Sequence, residues 1–461
     1  MDKKAKEIAK RQKQLNAHRS SFYLVYLFFI ISIIYITDEV ASQMAAFMKT
    51  EIANDMLAKF GEASVSRLDI ITFVSFPFMA LGILYKPLAD RFGRKPFLII
   101  NTFGMCLGLL IIYLTESVFG YIVGSCLVQF FVAHDMQVVY IMESAPDKHR
   151  AKIYSSIKCI AMLGVLLIPL LRKLLMSDVS QWRRVYLLPG IAGMLVSIAA
   201  IFLTKETDAY NISRINILEG KACETENKSG SVIQALRFVW KHKQLRFIFL
   251  ALVFSETGFV FTIDYQVIMS YGYAGFSLAN GLASSLESAL QSVGINEVTT
   301  ALFFFPIGCA LSTLATGFIS DKFGRRISAV VMSGSAALFF LAFFLGSNKG
   351  LSPQAVGFLC GASVGTFWSN IDTICLMAGE STPTALRSSV LAASFLATGL
   401  GIGISFMVSV PLLSVFGNSS IGWVSFALTV PGLVADFFIL IFKVKETTGV
   451  DLVTIQGSEF E

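Results

Sequence analysis

Apolar residues run along this chain in long, nearly unbroken blocks instead of alternating with polar ones. The blocks fall at 22–48, 68–88, 97–114, 118–142, 153–172 and 185–203, and again at 245–271, 297–320, 327–346, 354–378, 388–413 and 421–442. About 20 residues of helix cross the hydrocarbon core of a bilayer, so the pattern predicts twelve transmembrane helices in two sets of six. Between the sets lies a polar segment, Thr204 to Lys243, whose stretch Val232-Ile-Gln-Ala-Leu-Arg-Phe-Val-Trp240 has the two-faced pattern of a short interfacial helix. The expected organisation is a basic tail (1–21), a six-helix bundle (22–203), a linker (204–244), a second bundle (245–442) and a tail (443–461).

Composition removes the soluble alternative. Hydrophobic residues make up 55% of the 461 and charged residues only 15%, with 41 Phe and a mean hydropathy of +0.68. Such a chain needs lipid around it, and its chemistry has to sit among the helices. The net charge of +6 does not point to nucleic acid, because Lys and Arg fall in short runs between apolar blocks. They read as topology signals: the first 21 residues carry seven, and the loops at 89–96, 147–152, 204–244 and 321–326 are basic, which predicts that these loops and both termini are cytoplasmic. The loop from Lys49 to Arg67 has mixed charge and is expected outside. Phe22 to Met48 is too long for the core of a signal peptide and reads as a retained span. The short outer loop has no glycosylation sequon, which fits the plasma (inner) membrane of a prokaryote. Six of the seven Cys (106, 126, 159, 309, 360, 375) lie in apolar blocks, and Cys223 lies in the linker. No disulfide, metal or cofactor pattern is visible. The absence of a nucleotide-binding motif or a Ser-His-Asp arrangement argues against an enzyme or a primary pump.

Three motifs recur in the same order. Pro87-Leu-Ala-Asp-Arg-Phe-Gly-Arg-Lys95 follows the second block, and Phe318-Ile-Ser-Asp-Lys-Phe-Gly-Arg-Arg326 follows the eighth, 231 residues later. Glu143-Ser-Ala-Pro-Asp-Lys-His-Arg150 and Glu380-Ser-Thr-Pro-Thr-Ala-Leu-Arg387 end the fourth and tenth, 237 residues apart. Lys205-Glu-Thr207 and Lys445-Glu-Thr447 end the sixth and twelfth, 240 apart. A near-constant offset over three motifs makes the halves parallel repeats about an axis normal to the membrane.

At these residues the chain resembles the major facilitator superfamily, from about Phe22 to Thr447, and within it the branch of sugar porters and organic ion transporters. The resemblance implies an all-α polytopic membrane protein with twelve transmembrane helices in two pseudo-symmetric six-helix bundles, and a cavity lined by spans 1, 4, 7 and 10. One departure is that the glycine expected four residues before the loop Asp is Gly317 in the second half but Lys86 in the first. Two further signatures are missing: the adjacent Gly-Pro of drug/proton antiporters in span 5, where Gly164 and Pro169 stand apart, and the paired glutamines of sugar porters in span 7.

The repeated loops have the chemistry of a gate. Asp90, Arg91 and Arg94 in the first half, and Asp321, Arg325 and Arg326 in the second, put opposite charges at helix ends, where partial burial strengthens ion pairs. Glu143 with Arg150, Glu380 with Arg387, and the end carboxylates Glu206 and Glu446 complete an expected cytoplasmic charge network.

Ionisable residues at membrane depth cost at least about 2.5–3.5 kcal/mol each by insertion scales, so each is a candidate site. They are Asp38 and Glu39 in span 1, Asp135 beside His134 in span 4, Lys158 in span 5, Glu256 and Asp264 in span 7, Asp372 in span 10 and Asp436 in span 12. Asp135 and Lys158 lie at similar depth on neighbouring helices and could pair, unless Lys158 snorkels to the interface. Asp38 and Glu39 are about 100° apart on a helix, so one must point away from the cavity. Asp135 and Asp372 each precede their repeat's glutamate by eight residues and are expected symmetry mates. His134 is a candidate proton shuttle. Trp368 and Asn370, a turn from Asp372, are candidate substrate contacts. Asp436 looks structural. Acid excess suggests a cationic substrate, a coupling proton, or both.

The resulting expectation is a secondary transporter moving a small polar organic solute by alternating access. It would be proton-coupled through Asp38, Glu39 or Asp135, with a cationic substrate as one option. The alternatives are an uncoupled sugar or organic-anion facilitator and a non-transporting sensor signalling through the linker. Expected partners are a small-molecule substrate, a coupling proton and the lipid bilayer, with no nucleic acid and no cofactor; the expected working form is a monomer.

Overall fold

The computed structural model describes residues 3–17, 21–85, 92–131, 140, 150–220, 232–382 and 384–448, and the regular structure among them is helical. The first half contains α1 (Lys3–Ala17), α2 (Ser21–Phe47), α3 (Lys49–Met56), α4 (Ser64–Tyr85), α5 (Arg94–Leu114), α6 (Val118–Phe131), α7 (Arg150–Gly164), α8 (Leu167–Leu175) and α9 (Arg183–Leu203). Two linker helices follow, α10 (Asp208–Glu219) and α11 (Val232–Lys241). The second half contains α12 (Lys243–Glu256), α13 (Phe259–Ala279), α14 (Leu286–Val293), α15 (Thr299–Phe323), α16 (Arg325–Asn348), α17 (Pro353–Glu380), α18 (Thr384–Phe416) and α19 (Ile421–Lys443). Among the described residues, eight stretches are long and apolar enough to cross a membrane, and Val118–Phe131 is a shorter apolar helix.

The packing pairs reproduce the repeat. In the first half α2 packs on α7, α4 and α5 on α6, and α5 on α9. In the second, α12 packs on α18, α15 and α16 on α17, and α16 on α19. These are the same neighbours one repeat apart. The halves meet along α7 with α15 and along α4 with α18, again an exchange of equivalent helices, with α2 meeting α13 beside them.

Several helices differ from the apolar blocks, each for a local reason. The block at 245–271 is broken at Thr257 and Gly258 into α12 and α13 and runs on to Ala279. Ser405 of α18 takes up the backbone groups freed at the break: its hydroxyl donates to the Thr257 carbonyl (2.8 Å) and accepts from the Val260 N–H (3.3 Å). A polar side chain from a neighbouring helix is what makes such a break tolerable at membrane depth. The block at 153–172 splits between α7 and α8. Pro169 has no N–H for the Val165 carbonyl, which accepts instead from Ile168 in a tighter turn (3.0 Å). Before α15 the chain makes one wide π turn, Gly294–Val298, which joins it to α14. The basic tail itself is helical: α1 is rich in Lys, Gln and Ala, which favour helix, and it lies on α10, where Arg11 donates to Asn211 (3.0 Å) and stacks over Tyr210.

The tightest contact is between α15 and α17. Gly357, Gly361 and Gly365 recur every fourth residue on α17, and a Cβ at Gly357 or Gly361 would lie about 2.0 Å or less from the carbonyl oxygen of Ala301 or Phe305. Small residues here bring backbone against backbone.

Candidate functional site

Charged side chains gather in three layers. The middle layer joins the halves. Lys158 of α7 and Asp372 of α17 form an ion pair. Lys158 stands eight residues from Arg150 at the start of α7 and Asp372 eight before Glu380 at the end of α17, so each is about 12 Å from its helix end. Lys158 is buried, whereas 39% of the Asp372 side chain is accessible. Tyr35 and Glu39 of α2 are close enough to act on the Lys158 charge, and Asp372 acts on Glu256 at the end of α12. Glu256 is buried and its Oε2 meets no donor. Asp38 turns away from this group into its own half, where the Thr102 hydroxyl of α5 donates to it (3.1 Å).

The second layer lies at the end of α2 opposite the N-terminus, and of its charged members the sequence pattern singled out only Asp264. Lys49, the first residue of α3, is ion-paired with both Asp69 of α4 and Asp264 of α13. Beside them Arg172 of α8 pairs with Glu51, and the Gln266 amide donates to the other Glu51 oxygen (3.0 Å) while its carbonyl accepts from the Thr50 N–H (3.3 Å). All six side chains are buried. A triad of rings covers the same junction, with Phe47 edge-on to Tyr265 and Phe305 and these two stacked at 4.4 Å. First-half residues meet second-half residues at Lys49 with Asp264, at Glu51 and Thr50 with Gln266, and at Phe47 with Tyr265 and Phe305, while Lys49–Asp69 and Arg172–Glu51 lie within the first half.

The third layer, at the other end, gives the repeated motifs a local role. Gly93 and Gly324 stand just before α5 and α16 with φ of 107° and 98°, a conformation suited to glycine. Glu206 accepts from the backbone N–H groups of Arg94 (2.9 Å) and Lys95 (3.2 Å), and Glu446 from those of Arg325 (2.8 Å) and Arg326 (3.1 Å). Each carboxylate therefore caps the exposed start of a helix, where the macrodipole favours negative charge. A Cβ at Gly93 or Gly324 would sit 2.2 Å or 2.5 Å from that carboxylate. In the second half Arg325 also bonds Glu380 (3.3 Å) and reaches Asp321 (3.5 Å), and the Thr447 hydroxyl donates to Glu380 (2.6 Å).

The two caps titrate differently. Burial raises the Glu206 pKa above the usual carboxylate value, against the opposing effect of its N–H donors. At Glu446 the upward push of burial is outweighed by hydrogen bonds from the Thr448 side chain and from backbone N–H groups, and its pKa is lowered. The first half has Asp208 in place of Thr448, one position after the Lys-Glu-Thr motif.

Of the remaining candidates, Asn370 does not stand free beside Asp372. It is buried and donates to Asp436 (2.6 Å) and to the Ser255 hydroxyl (3.1 Å), so it ties α17 to α19 and α12. Trp368 packs on Phe259 and Phe367. His134, Asp135, Asp90, Arg91 and Glu143 lie outside the described residues, as do the side chains of Arg150 and Arg387. Lys158 pairs with Asp372, in the opposite half, while its expected pairing with Asp135 falls outside the described residues. Lys49, Glu51, Asp69 and Arg172 were the omissions. Asp69 and Arg172 lie at the limits of apolar blocks, and four charges at the ends of spans 1, 2 and 5 on one side were the available signal.

Two helical repeats enclosing buried ion pairs that cross between them define a polytopic membrane protein of the transporter kind. The model of the Major Facilitator Superfamily matches residues 24–375, and the chain belongs to that family. It is 22% identical over 376 residues to the alpha-ketoglutarate permease of Escherichia coli, covering 77% of this chain and 76% of that one. A further match, at 29% identity over 157 residues, is to the 4-hydroxybenzoate transporter PcaK of Pseudomonas aeruginosa and covers 33% and 32% of the two chains. Among solved structures, a D-xylose–proton symporter aligns with a TM-score of 0.61 at 16% identity, over 93% of this chain and 99% of the other. A bacterial homolog of the human lysosomal transporter Spinster, inward-facing and unoccupied, aligns with a TM-score of 0.54 at 16% identity, over 92% and 96%.

Proposed function

We propose that this protein is a secondary transporter of small organic acids that moves a carboxylate together with a proton. The observation that carries the reading is the Lys158–Asp372 pair, a buried base held by a partly accessible acid of the opposite half. Lys158 is held by Asp372 and also feels the charge of Glu39. A substrate carboxylate that takes the place of Asp372 leaves that acid without its cation, and a proton then neutralises it. Substrate and proton binding are thereby linked, which is the requirement for symport. The two relatives named above are named for solutes that carry carboxylates. Alternating access follows in this reading from two repeats whose contacts at one end are shut. Both termini and the motif loops lie on the cytoplasmic side of the plasma (inner) membrane, and the protein works as a monomer.

A cationic solute is the second reading. It is favoured by the acid excess among the described residues, where Glu39, Glu256 and Asp372 surround Lys158.

Uptake into proteoliposomes separates the two. Alpha-ketoglutarate or a benzoate should accumulate when the interior is alkaline, and Lys158→Gln should abolish this. Asp372→Asn should keep carboxylate counterflow but lose accumulation driven by the pH gradient. Accumulation of organic cations with no carboxylate uptake would overturn the assignment.

A further inference from the structure

The buried charges at the Lys49 end do not balance. Arg172 and Glu51 make a neutral pair, and both Glu51 oxygens are satisfied. Lys49, by contrast, faces two carboxylates, Asp69 and Asp264, and the three side chains are at most 4% exposed. Asp69 Oδ2 and Asp264 Oδ2 meet no hydrogen-bond donor. Among the described residues, the other titratable groups that face this cluster are Tyr121, which feels the Lys49 charge, and Tyr186, which feels that of Glu51. Neither supplies positive charge. Asp55 and Arg183 nearby on the surface balance each other. Among the described residues, one carboxylate more than the bases can neutralise is thus sealed between the halves, and a buried uncompensated carboxylate takes up a proton instead of remaining charged. An ammonium group seated between the two acids argues against a metal ion as the neutralising species.

We propose that Asp69 and Asp264 form a proton-binding site that latches this end of the protein. One proton, taken from water on that side, is shared by the two carboxylates while Lys49 holds both. It makes the cluster neutral and lets α3, α4 and α13 close over it. When the end opens, water solvates both acids and the proton leaves. Closure here therefore consumes one proton, separately from the exchange at Lys158. The inference rests on the carrier reading, in which the end opens and closes, but not on the carboxylate assignment.

Ser270 gives an isosteric reporter. It is 3% exposed and lies one turn beyond Gln266, whose carbonyl accepts its hydroxyl. In full-length protein with the seven native Cys replaced by Ser, the maleimide labelling rate of Ser270→Cys is measured without substrate from about pH 5 to about pH 9. It is normalised to a Leu282→Cys control at an exposed position. The expected normalised rate climbs by up to about tenfold per pH unit across the titration, as one-proton linkage requires. Asp264→Asn and Asp69→Asn each replace the shared proton with a neutral side chain and should hold the rate low and flat. Lys49→Gln leaves two uncompensated acids and should steepen the dependence and move protection to lower pH. A flat normalised rate in the parent, or a parental pH dependence that survives in both Asn variants, would overturn the latch. Carboxylate uptake through Lys158 is measured separately, so either reading can fail while the other stands.

Discussion

The two ends of the molecule handle charge in opposite ways. At the Lys49 end the ion pairs are buried and the network crosses between halves at two points, Lys49 to Asp264 and Glu51 through Gln266 to α13. At the motif end, among the described residues, the pairs stay within one half and stand partly exposed: Arg325 with Asp321 and Glu380 in the second, and Glu206 on the start of α5 in the first. Charges that cross hold two bodies together, while charges kept within a body shape it and leave it free to separate from its neighbour. The same residue types therefore act as a clasp at one end and as stiffening at the other. The accessible Asp372, sitting between them on the motif side of the clasp, fits a structure closed at one end only.

The comparison can be broken most strongly at Arg172. Replacing it with Met leaves Glu51 buried with only Gln266 beside it, and removal of one partner from a buried pair costs about 3–5 kcal/mol. A large drop in apparent melting temperature is expected, and most of it should be recovered when Glu51→Gln is added. A cost like that of a surface pair, about 0–1 kcal/mol, would show that water reaches this layer. Next in size are Gly93→Ala and Gly324→Ala, which combine a left-handed backbone with a methyl group placed against the capping carboxylate. Each should cost about 1–3 kcal/mol, with Gly93 the more severe because its neighbour is closer. Faster hydrogen exchange at the start of α5 or α16 would localise the damage. The smallest effect compares the caps themselves. Glu446, with its lowered pKa, contributes stability above its unfolded value and loses it as pH falls through the folded one. Glu446→Gln should therefore cost up to about 1 kcal/mol at neutral pH and nothing in acid. Glu206 has the opposite sign: its raised pKa makes ionisation a penalty, present above the folded pKa and gone below the unfolded value near about 4.3. Glu206→Gln should be neutral to stabilising at pH 7, and melting curves at several pH values read both.

The sequence pattern carried the helices well where lipid alone decides them. The block at 421–442 is α19, and the block at 22–48 is α2, each within a residue or so at either end. It did worse where a neighbouring helix intervenes. The break at Thr257 depends on Ser405, which lies 148 residues away and cannot be inferred from hydropathy. The same limit governs the charges. Counting along a helix gave the depth of Asn370 and Asp372 but not which way each faces, and two residues apart they serve different ends, one bound to Asp436 and the other to Lys158. Lys49 stood only at the start of a loop of mixed charge and Arg172 only at the end of an apolar block, because their partners come from other helices. Glu206 and Glu446 were visible as a repeat, and the structure adds what the repeat is for: a carboxylate that closes the start of a helix.

The glycine ladder on α17 fixes where rearrangement can occur. With Gly357 and Gly361 seated on the backbone of α15, those two helices have no side-chain layer between them in which to slide. In the proposed cycle they travel as a single stiff lever that carries Asp372 with it. A displacement that separates Asp372 from Lys158 is then carried to the seam of α15 with α7, which that reading makes the bearing of the machine.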